Sequence, residues 1–176
     1  MLLEQILNQQ LIQKENHMET LTKNPYQKYH IDPEIKKAGV WYQDGDVRIR
    51  VTFAGPENAR YEKMIKLRLK PFETQIRNED FSDKRYFAEL APVYAACVIL
   101  EWQSAKGTGK FDDEGEEITE FVPGVFDEEG NILEATEENM VKGLNLGGMQ
   151  LFIPLKKVAE NFNLFRQGQK AGDAKN

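Results

Sequence analysis

The sequence predicts an α+β protein, mostly helical, in which an N-terminal β-hairpin packs on helices and an acidic loop excursion leaves the body. Three observations predict it. Apolar residues alternate at period two over residues 40–53, and several later stretches carry them at spacings of three and four. Between Phe111 and Val141 stand twelve Asp and Glu and no Lys or Arg.

Residues 1–38 read as a helical extension, with Leu3, Ile6, Leu7 and Leu11 on one stripe. That stripe spans too few heptads for a coiled coil, and Asn24-Pro25 and Asp32-Pro33 separate it from the rest of the chain. It reads equally as a partner-binding arm or as a helix packed on its own domain. The main α+β domain is placed at 39–166.

Val40-Trp41-Tyr42, the turn Gln43-Asp44-Gly45 and Val47-Arg48-Ile49-Arg50-Val51-Thr52-Phe53 form the hairpin, because Asp-Gly supplies the positive φ values a tight turn needs. Val47, Ile49, Val51 and Phe53 share its inner face, with Arg48 and Arg50 opposite. A helix is expected from about residue 57 to 70, with Gly55 near the cap, Pro56 at its first position and Tyr61, Ile65, Leu69 and Phe72 on its stripe. A second spans 83–102 after Ser82 and carries Phe87, Leu90, Tyr94 and Cys97, with a kink at Pro92. Trp41, Ile65, Leu90 and Tyr94 are expected in one core.

Ser104 to Lys110 reads as a loop. The acidic excursion, 111–135, contains two similar strings, Phe111-Asp112-Asp113-Glu114-Gly115 and Phe126-Asp127-Glu128-Glu129-Gly130, both resembling turns between short strands. Thr136 caps a short helix to about Leu144, and Gly147-Gly148 breaks it. A last helix from about Gln150 places Leu151, Leu155, Val158, Phe162 and Phe165 on one seam and tolerates Pro154 only in its first turn. Residues 167–176 read as a disordered tail.

Composition narrows the function classes. Of 176 residues 40% are apolar and 30% charged, and no apolar run is long enough for a membrane span. The N-terminus lacks a signal peptide's basic region, and the single cysteine, Cys97, fits a reducing cytoplasm. The net charge is −6, yet outside the acidic segment seventeen acidic residues face twenty-three basic ones. That balance argues against nucleic acid as the main partner.

No catalytic, cofactor-binding or metal-binding constellation is encoded, and the chain reads as a non-enzyme without a cofactor. Aligned on Gly115 or Gly130, an EF-hand loop would begin at Lys110 or Val125, neither of which can ligate calcium. Zinc has one Cys and the distant His17 and His30. Gly107-Thr108-Gly109-Lys110 lacks the remainder of a phosphate-binding loop, and no nucleophile motif is present. Cys97 sits in the apolar run Tyr94 to Leu100, where a thiol is inert.

From Gly39 to Arg166 the order of features resembles the tail assembly chaperones and related small tail proteins of long-tailed bacteriophages. The residues that carry it are Gly39-Val40-Trp41, Val47 to Val51, and Ala54-Gly55-Pro56-Glu57-Asn58-Ala59-Arg60-Tyr61. Leu69-Lys70-Pro71-Phe72, Gln75-Ile76-Arg77, Val98-Ile99-Leu100-Glu101-Trp102, the Thr136/Asn139 helix start and Asn161-Phe162 continue the series. The N-terminal extension and the doubled acidic turn depart from it.

The resemblance implies a non-enzymatic protein of the host cytoplasm that coats the tape-measure protein, helps recruit tail-tube subunits and, as a chaperone, is absent from the mature virion. It leaves room for a homo-oligomer. A client with exposed apolar seams calls for an apolar face with a polar rim. The candidate surfaces are Leu151, Leu155, Val158, Phe162 and Phe165 at one end and Leu3, Leu7 and Leu11 at the other; the plain alternative is that both stripes pack inside the protein. A structural protein of the tail or neck and an acidic sequestering or mimic protein are the other readings.

Overall fold

The computed structural model describes residues 30–166. The N-terminal stripe of Leu3, Leu7 and Leu11, and the tail from Gln167, lie outside the described residues. The class is α+β: helices pack with a four-stranded antiparallel sheet.

A short helix α1 (Pro33–Ala38) opens the described chain, capped by the Asp32 carboxylate, and stops at Gly39, whose φ is 76°. Strands β1 (Val40–Asp44) and β2 (Val47–Val51) then pair antiparallel, with Asp44 opposite Val47, so the turn is Gly45-Asp46, one residue later than expected, and its positive φ, 52°, belongs to Gly45 alone and not to an Asp-Gly pair. Helix α2 (Ala59–Leu69) comes next, then a 3₁₀ turn (Lys70–Phe72), α3 (Glu73–Arg77) and α4 (Asp83–Cys97). Strand β3 (Ile99–Phe111) returns alongside β2, and β4 (Glu117–Pro123) completes the sheet order β1-β2-β3-β4. A two-residue ribbon, β5 (Val125–Phe126) with β6 (Ile132–Leu133), precedes the long helix α5 (Glu137–Glu160) and the closing turn α6 (Phe162–Phe165).

The inner sheet face and the helices build one core. Ile49 and Val51 of β2 and Trp102 of β3 cluster with Leu90, Val93 and Tyr94 of α4 and with Leu144, Phe152 and Leu155 of α5. Phe152 stacks edge-on against both Phe87 and Tyr94, at centroid distances of 4.9 Å in each case. A second, smaller cluster joins Ile31, Phe53 and Phe165 near the chain ends, where Ile31 and Arg166 form an antiparallel bridge.

Several expectations are corrected. Pro56 lies in a turn, not in the helix; α2 begins two residues past Glu57 because the Asn58 side chain accepts from the Tyr61 N–H and caps it. The helix over 83–102 ends at Cys97, and Ile99 to Trp102 belong to β3, as their β-branched and aromatic make-up suits. Ser104 to Lys110 is strand rather than loop, paired from Gln103 to Phe111 with β4. The acidic excursion is therefore a β-arm with a small ribbon after it. Trp41 is not in the core; it lies on the outer sheet face under the Arg48 guanidinium, 4.1 Å from the ring centroid. Phe53 leaves the hairpin's inner face: β2 ends at Val51 beside a bulge, and Phe53 turns into the second cluster. Pro154 lies in the second turn of the segment that restarts directly after Gly148, whose φ of 58° marks the break inside α5, and not in a first turn as expected.

Two features of the acidic segment agree with the expectation. Its two strings fold identically: Asp112 Oδ1 accepts from the N–H groups of Glu114 and Glu116, and Asp127 Oδ1 from those of Glu129 and Asn131. Gly115 and Gly130 supply the left-handed residue, at φ 83° and 82°, so each loop is a type I turn closed by a glycine bulge. Thr136 caps α5, accepting from the Asn139 N–H.

Candidate functional site

The terminal seam faces inward. Leu151, Leu155 and Phe165 are buried, Val158 packs on the main core, and Phe162 lies edge-on to Phe53 in the second cluster. A helix one face wide cannot serve its own core and a partner with the same residues. In this fold the seam is the protein's interior.

The titratable groups of the interior are held neutral. Burial pushes the Cys97 thiol up, against a smaller opposing pull from Arg60, and its sulfur lies 3.1 Å from the Met64 thioether. Burial raises the Tyr61 phenol to about 12, with Glu160 adding to the shift, and raises Tyr94 further still. Tyr61 and Tyr94 stand edge to face at 6.0 Å. None of these groups lines either of the two grooves described below. Among the described residues no group of three or more His, Cys, Asp or Glu is placed to hold a metal ion.

The surface carries three features that sequence reasoning alone does not assemble. The first is a groove of ≈ 640 Å³ between the β5–β6 ribbon and the first half of α5. Its apolar lining comes from Val125, Phe126, Leu133 and Leu146, and its acidic wall from Asp127, Glu128 and Glu129, with Lys142 opposite. The second acidic turn thus forms one wall. Leu146 points away from the buried stripe of Met140, Leu144 and Leu151 and is 49% exposed, while Leu133 is 38% exposed. Those two side chains are the open apolar contacts of the groove. Their signal in the sequence is slight: Leu146 falls off the helical stripe, and Leu133 ends an acidic turn.

The second feature is the outer face of the sheet. Arg48 stacks over Trp41 and reaches toward Phe121 at 5.9 Å, so an aromatic–arginine ladder crosses strands β1, β2 and β4. Arg50 beside it pairs with Glu101 at 2.8 Å and donates to the Ala38 carbonyl, which holds it to the sheet. The third is a smaller groove of ≈ 370 Å³ between α2 and α3, with Ile65, Leu69 and Ile76 along it and Lys66, Lys70 and Arg77 at its edges.

Among the described residues no helix is long and apolar enough to cross a membrane. Comparison with protein-family models, curated proteins and solved structures gives no match.

Proposed function

We infer that this protein is a tail assembly chaperone of a long-tailed bacteriophage, a non-enzymatic binder of the tape-measure protein that assists assembly of the tail tube. The resemblance from Gly39 to Arg166 motivates the reading, and the groove between the β5–β6 ribbon and α5 is the observation that carries it. A tape-measure segment is a long helix with an apolar seam, and an apolar floor with a polar rim is the surface that covers such a seam. The groove replaces the terminal seam as the client seat, since Leu151, Leu155 and Phe165 are buried. Its acidic wall of Asp127, Glu128 and Glu129 favours client helices with Lys or Arg beside the apolar stripe.

The test is co-expression with a helical tape-measure segment. Leu133→Asp with Leu146→Asp should abolish co-purification and client solubility while circular dichroism stays native, because both side chains are solvent-facing. Undiminished co-purification would reject the groove. A second reading, a structural protein of the tail or neck, draws on the exposed β3–β4 arm, a shape suited to lasting contact with neighbours. Stoichiometric recovery of the chain from purified virions by mass spectrometry would decide for it and against the chaperone.

A further inference from the structure

Beyond Ala105, strand β3 has no partner among the described residues except β4, so the two run on together as a two-stranded arm. Residues 109–120, which include its tip, are all exposed. An isolated ribbon of this kind is marginally stable in water. It carries Asp112, Asp113, Glu114, Glu116, Glu117 and Glu120 against Lys106 and Lys110, and at its tip Phe111 is 66% exposed. An aromatic ring held in solvent among carboxylates has apolar area, on the order of 150–250 Å² for a ring residue, available to a partner.

The groove between α2 and α3 has the opposite character. Ile65, Leu69 and Ile76 provide apolar surface, and Lys66, Lys70 and Arg77 outnumber Glu73, the one acid of the lining, while Glu62 pairs with Lys66 from beside the groove at 3.2 Å and leaves Lys70 and Arg77 as the main open cations. The larger groove beside α5 is walled by acids and would repel the arm. Both arm and basic groove stay open within one molecule: Phe111 is solvent-facing, and Ile76 is 38% exposed. The arm therefore does not occupy the groove of its own chain.

We propose that the acidic β-arm of one copy docks in the α2–α3 groove of a second, with Phe111 seated against Ile65, Leu69 and Ile76 and the arm carboxylates facing Lys66, Lys70 and Arg77. The two surfaces differ, so the contact is head-to-tail: each copy offers an arm to one neighbour and a groove to the other. Such contacts propagate into a ring or a filament rather than stopping at a dimer. The proposal is independent of the client groove, because it uses no residue of that site.

Sedimentation velocity on the full chain tests it. Wild-type protein should gain mass with concentration and lose it in about 1 M salt, where screening shortens to roughly 3 Å. Lys66→Glu with Lys70→Glu and Arg77→Glu removes the groove; Phe111→Ser with Asp112→Lys and Asp113→Lys removes the arm. All six side chains lie on the surface, and native circular dichroism checks each fold. Each variant alone should sediment as a monomer, and an equimolar mixture should form a 1:1 pair that grows no further, since each supplies the surface the other lacks. A monomeric wild type at every concentration, self-association of either variant, or a mixture that stays monomeric would overturn the proposal.

Discussion

Gly143 lies flat against the indole of Trp102: a β-carbon at Gly143 would stand 3.2 Å from ring atoms Cζ2 and Cη2 and 2.5 Å from Val125 Cγ1. The close approach of α5 to the sheet depends on that missing carbon. Gly143→Ala should therefore lower stability by roughly 1–3 kcal/mol, outweighing the gain of about 1 kcal/mol that alanine brings to a helix. A urea unfolding midpoint at or above the wild-type value would refute the close packing. Val125→Ala in the same chain should recover part of the loss, because it removes the nearest atom.

Asn58 joins three segments. Its Oδ1 caps α2 while its Nδ2 donates to the carbonyls of Phe53 and Cys97, at 3.0 and 3.2 Å. Asn58→Ala should cost about 1–3 kcal/mol by leaving buried carbonyls unpaired. Asn58→Asp keeps the cap but turns carboxylate oxygens toward both carbonyls, so at neutral pH it should be the worse variant. It should recover as pH falls and the acid regains a proton to donate. Equal unfolding midpoints for the two variants across pH 4–8 would contradict this arrangement.

Phe165 is fully buried with Phe53 and Ile31, its ring 5.4 Å from that of Phe53. Phe165→Ala should cost roughly 3–5 kcal/mol. Phe162→Asp with Phe165→Asp should lose native circular dichroism rather than merely lose a partner. A well-folded double variant would make the seam a docking surface again.

Asp127 gives a pH test. A hydrogen bond from the Asn131 side chain, aided by N–H groups of its turn, holds its carboxyl below the ordinary value. A carboxyl lowered on folding contributes stability above about pH 3.9, its ordinary range, and loses it as pH falls through the lower folded value. The Glu129 and Asn131 amide signals should titrate below that ordinary value. Asn131→Ala should move the midpoint upward; an unmoved midpoint would remove the side-chain bond as the cause.

The hairpin, the paired acidic turns and the Thr136 cap were legible because each rests on local chemistry: a turn glycine (Gly45, which opens the turn rather than closing it after Asp44), Asp with Gly three residues on, and a hydroxyl at a helix start. Ser104 to Lys110 was not. Period two shows in a sequence only when one face of a strand is buried, and residues 106–111 of the arm are largely solvated on both faces. The run Val98 to Trp102 is apolar enough to extend a helix or begin a strand, and only pairing with β2 decides it. Periodicity also found the seam from Leu151 to Phe165 but could not tell a stripe that covers the protein's own core from one that awaits a partner. The client groove was invisible for a related reason. Its apolar contacts, Leu133 and Leu146, come from different elements and become neighbours only when the ribbon lies along α5.

The Ile31–Arg166 bridge also fixes how the molecule answers to force. The bridge is antiparallel, with the Asp32 N–H donating to the Phe165 carbonyl at 2.7 Å, so the first and last described residues, His30 and Arg166, lie toward the same side of it. A pull applied at His30 and Arg166 loads these bonds one after another instead of all together. The Ile31, Phe53 and Phe165 cluster should peel open at low load while the sheet and α4 remain intact, making the clasp a mechanical fuse ahead of the main core.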